Sequence, residues 1–344
     1  MARCRPYGFP HTPAATTPSL RKAVRNAMPA FIRRRRKGNA PRIAPELDDL
    51  ALGKVRRRVL SCWDRGSLDT AVMALLSQVI DEAGEDWDRK AHRLEVLAGV
   101  SGRALPGIWR EHKPRDQGAL LLHAWSELVQ AGQQSSPGDL SDVRETCWRA
   151  AELVPADPIP WILHLSTLRL ERRPTRELSP IWREIKARDP WNREAHLQAL
   201  AYLSPEECGS SVLVLDLLDG IRAEMPADAP TAALELTAIV RNHTRAVSVG
   251  GLMALGAAEI WRRADVVKVL EQAAYDWLTP GFLKHAAALA DLNLLAYALL
   301  KSTRLPEAGA ALRATGGVAT PWPWSVEGDP LERFSHFYTR HSEG

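Results

Sequence analysis

Cysteine is scarce in this chain. Four occur in 344 residues, Cys4, Cys62, Cys147 and Cys208, and no two stand in C-x-x-C spacing. That spacing is what a zinc site or a disulfide-exchange motif needs, so the thiols read as small buried side chains in a reducing compartment. Aromatic residues are also few, at 6%, and Trp (12) outnumbers Tyr (5) and Phe (5). Long apolar runs are missing. The most hydrophobic stretch, residues 286–300, is interrupted by Asp291 and Asn293, short of the ~18–20 uncharged residues of a membrane span. No short apolar run follows the early positive charges, so a secretory signal is not expected. No P-loop, G-x-G-x-x-G, H-E-x-x-H or G-x-S-x-G is present, so the common phosphate, dinucleotide, zinc-protease and serine-hydrolase signatures give no lead. Neither a metal nor a cofactor is expected.

Acidic residues are missing from the first 45 positions, which hold eleven Lys and Arg. The remainder is net acidic, so the formal charge of +4 averages a polycationic tail and a mildly acidic body. Five prolines precede Pro41, and Arg33, Arg34, Arg35, Arg36 and Lys37 form an unbroken basic run. Low hydrophobicity, proline and like charge predict a disordered tail over 1–44. The basic run is a candidate polyanion contact, hence a nucleic-acid partner. Arg exceeds Lys throughout and Ala and Pro are abundant, as in a GC-rich bacterial genome; the expected location is cytoplasmic.

What is present is helical periodicity. Hydrophobic residues make up 45% of the chain, enough for a sizeable core, and from residue 45 they recur every three or four positions with almost no alternation of period two. In 139–154, Leu140, Val143, Cys147, Ala150 and Val154 form one apolar stripe while Asp142, Arg144, Glu145 and Arg149 lie off it. Side chains able to cap helices stand before proline at Asp157-Pro158, Ser179-Pro180, Asp189-Pro190, Ser204-Pro205 and Thr279-Pro280, the order in which a helix start satisfies its free N–H groups. The spacing predicts an all-α fold with helices over 46–63, 67–82, 87–99, 104–112, 117–132, 140–154, 158–171, 178–188, 190–203, 210–224, 230–243, 247–262, 265–277, 280–302 and 306–314. Helical repeats are expected over 45–244, C-terminal helices packing on or capping them over 245–315, and an irregular tail with one short helix over 316–344.

An acid is followed seven positions later by histidine at Glu85/His92, Asp116/His123, Asp157/His164 and Asp189/His196. The first and last of these segments share Trp, Arg, Ala and His in register, and Trp109-Arg110, Trp148-Arg149 and Trp182-Arg183 precede the last three acids. The histidines are 31, 41 and 32 residues apart. Asp189-Pro190 followed by Ala195 and His196, with Trp182 seven residues upstream, resembles the tetratricopeptide repeat, a helix–turn–helix unit of about 34 residues. His stands where that family has an aromatic. The resemblance spans roughly 86–240 and implies a right-handed α-solenoid. The position of the family's small residue, four after the aromatic, holds Val96, Glu127, Leu168 and Leu200, so its tightest helix contact is not reproduced. A fifth unit starts near Asp228, with Glu235 in the histidine's place.

The histidines do not assemble a metal site. Successive repeats lie about 10 Å apart, and seven residues of helix rise by about 10.5 Å, so neither the four histidines nor an acid and its own histidine can share an ion. His92, His123, His164 and His196 are read as half-buried replacements for an aromatic, with polar contacts. By the family's geometry the first helix of each unit lines a concave groove, giving Lys90, Arg93, Leu121, Leu128, Ile162, Leu165, Arg169 and Arg172 as groove residues. An apolar channel with basic flanks suits a protein or peptide partner, or an anionic hydrophobic small molecule. A rival reading places a small-molecule pocket between the repeats and the C-terminal helices, with His285, Asp291 and Glu259 as its ionisable candidates; this would admit an enzyme. A third reading rests on the basic tail.

Overall fold

The computed structural model describes residues 40–65 and 70–341; the basic run Arg33–Lys37 lies outside them. A short strand, β1 (Arg42–Ile43), opens the described chain. Helices follow as α1 (Leu50–Arg65), α2 (Thr70–Asp81), α3 (Trp87–Ser101), α4 (Ala104–His112), α5 (Gln117–Gln133), α6 (Ser141–Leu153), α7 (Ile159–Leu170), α8 (Leu178–Arg188), α9 (Arg193–Tyr202), α10 (Ser211–Glu224), α11 (Leu234–Val249), α12 (Gly251–Ala257), α13 (Ala264–Trp277), α14 (Ala288–Lys301) and α15 (Leu305–Ala314). The chain ends with β2 (Val318–Ala319) and α16 (Pro330–His341). The described residues are all-helical apart from the β1–β2 pair, and no helix among them is long and apolar enough to cross a membrane.

Helix starts follow the capping chemistry, though not always at the expected acid. Asp116 Oδ1 accepts from the Ala119 N–H and Asp157 Oδ1 from the Ile159 N–H. In the other two segments the cap shifts. Asp86, not Glu85, accepts from the Arg89 N–H, and Asn192, not Asp189, caps α9 by accepting from the Ala195 N–H. Residues 280–287, expected to be helical, are not. Gly281 has φ +79° there, a conformation that favours glycine and does not propagate a helix, and α14 begins only at Ala288.

The helices pack in an alternating order. Each of α3, α5, α7 and α9 lies against the next, with α4, α6 and α8 packed beside them, and α9 comes back against α3. Helix α5 runs through the middle of this half: residues 118–126 are all buried, as expected of a helix that is apolar all round. Leu120, Leu121 and Leu122 are fully buried, each contributing roughly 1.5–3 kcal/mol on transfer from water. In the second half α14 has this central role, buried from Asp291 to Leu299 and packed by α11, α13 and α15.

The segment expected to be irregular closes the molecule. β1 and β2 pair in parallel, Arg42 with Val318 and Ile43 with Ala319, so the expected tail gives way to ordered chain by residue 42. Asn293 on α14 holds this region: its amide donates to the Leu289 and Val318 carbonyls, and its Oδ1 accepts the indole N–H of Trp324 at 2.9 Å. Trp324 and Phe334 are fully buried.

Candidate functional site

The residues expected to line a groove are mostly core. Leu121, Leu128, Ile162 and Leu165 are buried, and so are Lys90 and Arg93. The Lys90 amine donates to Asp157 Oδ2 at 2.6 Å and to Gln117 Oε1 at 2.9 Å, tying the starts of α3, α5 and α7 together. Arg93 donates to Asp49 at 2.7 Å and to the Val79 carbonyl. These six therefore present no open channel. Helix α9 comes back against α3, and α11 packs on α9. Arg172 is exposed, and its guanidinium reaches the Glu206 and Glu207 carbonyls.

Of the four histidines, His164 and His196 pack against tryptophan rings. His196 sits 4.9 Å from the Trp182 ring, edge to face, and 5.9 Å from Trp191, stacked; its Nδ1 donates to the Asn192 carbonyl at 2.8 Å. Burial lowers its pKa to about 4, opposed only in part by that hydrogen bond. His92 is lowered to about 4 by burial and by Arg193. His164 packs edge-on against Trp148 at 5.8 Å. His123 Nε2 lies 3.4 Å from Asp142.

The rival candidates separate. Glu259 is exposed and pairs with its helix neighbour Arg262. His285 and Asp291 come together, with Nε2 3.2 Å from the carboxylate, and Arg193 donates to Asp291 Oδ1 at 2.5 Å. The Arg193 backbone N–H donates to Asp88 on α3. Burial raises the Asp291 carboxyl, but Arg193 and His285 overcome it and hold it below the usual range. Burial drives Asp88 up to about 7. The cavity described below is lined by none of these residues. The cluster is a polar junction between α3, α9 and α14.

A cavity of about 490 Å³ does open between α9, α10 and α11 on one side and the start of α13 on the other. Its apolar lining comes from Leu200, Val214, Leu218, Ile239, Val266 and Trp322. Five arginines reach it: Arg169 from α7, Arg222 from α10, Arg241 and Arg245 from α11, and Arg263 ahead of α13. Four carboxylates accompany them: Arg222 pairs with Glu235, Arg245 with Glu206 at 2.9 Å, Arg263 with Asp265 at 2.6 Å and Arg169 with Glu207 at 3.4 Å. Burial and the charge of Arg169 lower the Arg241 pKa to about 10, so it stays cationic at neutral pH. Burial raises the Glu207 carboxyl against the pull of Arg169, Arg241 and Arg172.

The local sequence builds this lining. Glu235, Ala238, Asn242 and Arg245 recur at three- and four-residue spacing, which sets one face of α11 toward the cavity. The turn carrying Glu206 and Glu207 is fixed by Cys208 N–H to Tyr202 O, Gly209 N–H to Ser204 O and Ser210 N–H to Leu203 O. A Cβ on Gly209 would stand 2.0 Å from the Leu203 carbonyl oxygen, so only glycine lets the turn close. Of the expected groove residues Arg169 lines this cavity, together with Arg222, Arg241, Arg245 and Arg263, which no motif in the sequence marks. The usable signal was the fifth unit's polar face, Glu235, Asn242 and Arg245.

No family model, no curated protein and no solved structure matches the chain.

Proposed function

We propose that the protein binds an organic anion with an apolar body in the arginine-lined cavity. The observation that carries this is the convergence of five arginines on one apolar-walled space of about 490 Å³, within the size range of small-molecule sites. Arginine suits the role because its planar guanidinium grips carboxylate or phosphate with two parallel hydrogen bonds. Calorimetric titration with straight-chain carboxylates of graded length tests the reading. Binding should strengthen with chain length, and Leu215→Asp, at an exposed lining position, should weaken it about tenfold by like-charge repulsion and lost apolar contact. If no carboxylate binds, or the substitution has no effect, the cavity is not the site.

A protein or peptide partner is the second reading. Val212 and Leu215 favour it, because both are exposed, about one turn apart on α10, beside the cavity. Val212→Asp would then weaken capture of the partner and leave binding of small anions intact.

The alternation of α3/α4, α5/α6, α7/α8 and α9/α10 supports a tetratricopeptide-like reading of the scaffold as a right-handed solenoid. The return of α9 to α3 departs from an open superhelix. A bacterial, cytoplasmic setting and a nucleic-acid role for Arg33–Lys37 rest on the sequence alone.

A further inference from the structure

The pairing of Arg169 with Glu207 is incomplete. Their closest approach is 3.4 Å, from Arg169 Nη1 to Glu207 Oε1. Both side chains are about nine-tenths buried, at 10% and 12% exposure. Arg169 Nε and Glu207 Oε2 are shielded from solvent and have no hydrogen-bond partner. A guanidinium and a carboxylate meet best with Nε and one Nη donating to the two oxygens in parallel. Here one oxygen approaches one nitrogen at long range, and the remaining donor and acceptor are buried unsatisfied, which is costly. The backbone of Glu207 cannot adjust, because the turn is pinned by its own hydrogen bonds and by Arg172 on its carbonyls. Glu207 thus stands beside the Arg169 fork without filling it.

Resting on the cavity being the ligand site, we propose that Glu207 is an internal competitor for the oxyanion of the ligand. In the empty cavity its carboxylate partly neutralises Arg169 and Arg241. A carboxylate or phosphate ester carried on an apolar body displaces it, takes both hydrogen bonds of the Arg169 fork, and lays its body on Leu200, Ile239 and Val266. The groups facing Glu207 are Arg169 from α7, Arg172 just after it, Arg241 from α11 and Glu206 beside it in the turn. The ligand therefore enters a site whose cations outnumber its remaining acids once Glu207 has moved aside.

Calorimetric titration of the full chain with decanoate, decyl phosphate, decanol and decyltrimethylammonium tests this. The wild type should bind one or both anions and neither control. Glu207→Gln should tighten anion binding about tenfold, since it removes the competing charge, with its thermal melt confirming a folded protein. Arg169→Lys keeps the charge and loses the fork; it should weaken binding about tenfold, and in that background Glu207→Gln should give little gain. Anion binding that Glu207→Gln leaves unchanged or weakens overturns the competitor role while the cavity stands as the site. If neither anion binds to the wild type or to Glu207→Gln, the cavity itself is not the site.

Discussion

At the residue scale, four histidines show how one side chain type serves as a packing element. His196 lies between Trp182 and Trp191 with its Nδ1–H on a carbonyl of its own helix start. It can fill an aromatic's place only while neutral. Its folded pKa of about 4 lies below the ordinary value near 6.5, so the unfolded chain binds more protons between those limits. The stability it contributes is complete above about pH 6.5 and is lost as pH falls toward 4. The expected loss is roughly 3 kcal/mol for this one group. Denaturant unfolding of wild type and His196→Asn at pH 7 and pH 4 measures it: Asn can place its amide near the same carbonyl but does not titrate, so its acid loss should be smaller by about that amount. An identical acid dependence in both proteins would remove His196 from the account. The histidines were visible in the sequence as a recurring element. Their partners were not, because Trp191 and Trp182 reach His196 from the turn before its helix and from the helix before that.

Elements were the most legible level. Most helices start and end close to where apolar periodicity and capping residues put them, because both signals are local. The failures are where local signals were weak or were overruled. Thr279-Pro280 looks like a helix start, yet Gly281 takes a positive φ and the chain turns instead. The pairing of β1 with β2 has two residues a side, too short to leave a period. Trp322 and Trp324 in the proline-rich end looked irregular, and what orders Trp324 is Asn293 on α14. That asparagine read from sequence only as an interruption in an apolar run. Its four hydrogen bonds, one of them accepted from the Thr320 N–H, predict the effect of removal. Asn293→Ala would orphan the buried Trp324 N–H and the Val318 carbonyl and should cost about 2–4 kcal/mol. Chemical denaturation should show the loss, and hydrogen exchange should show faster opening of 318–341 than of α5. A loss spread evenly over both halves would count against α14 as the local anchor.

Across the whole molecule, the two helical sets meet at a charged junction. Arg193 on α9 bonds Asp291 on α14 at 2.5 Å through its side chain and Asp88 on α3 through its backbone N–H. Asp291 is fully buried at 1% exposure. Removing one partner leaves the other charge buried, so Asp291→Ala should destabilise by about 3–5 kcal/mol. The double variant Arg193→Met with Asp291→Leu removes both charges at similar volume and should recover most of that loss. A double variant no better than the single one would mean that packing, not charge, sets the cost. None of this was legible beforehand. The sequence singled out Asp291 as an ionisable group in an apolar helix, but nothing local links it to Arg193, almost a hundred positions away. The cavity was legible only in outline, as a space between repeats and C-terminal helices. The arginines that define it come from three helices and the residue ahead of a fourth, and their convergence is a property of the closed fold.

The parallel pairing of Arg42–Ile43 with Val318–Ala319 has a kinetic consequence. Residues 44–317 separate the two strands, so a ribosome must make all of them before the first can find its partner. Ala44 and Leu47, which pack with Val318, stay without that partner throughout synthesis. Loop closure over such a span costs little more than over a shorter one in equilibrium terms, but contacts of long separation form late. The pairing of these two segments is therefore expected to form late. Any nascent product that stops before residue 318 lacks the strand that pairs with Arg42–Ile43 and the Val318 side chain that packs with Ala44 and Leu47.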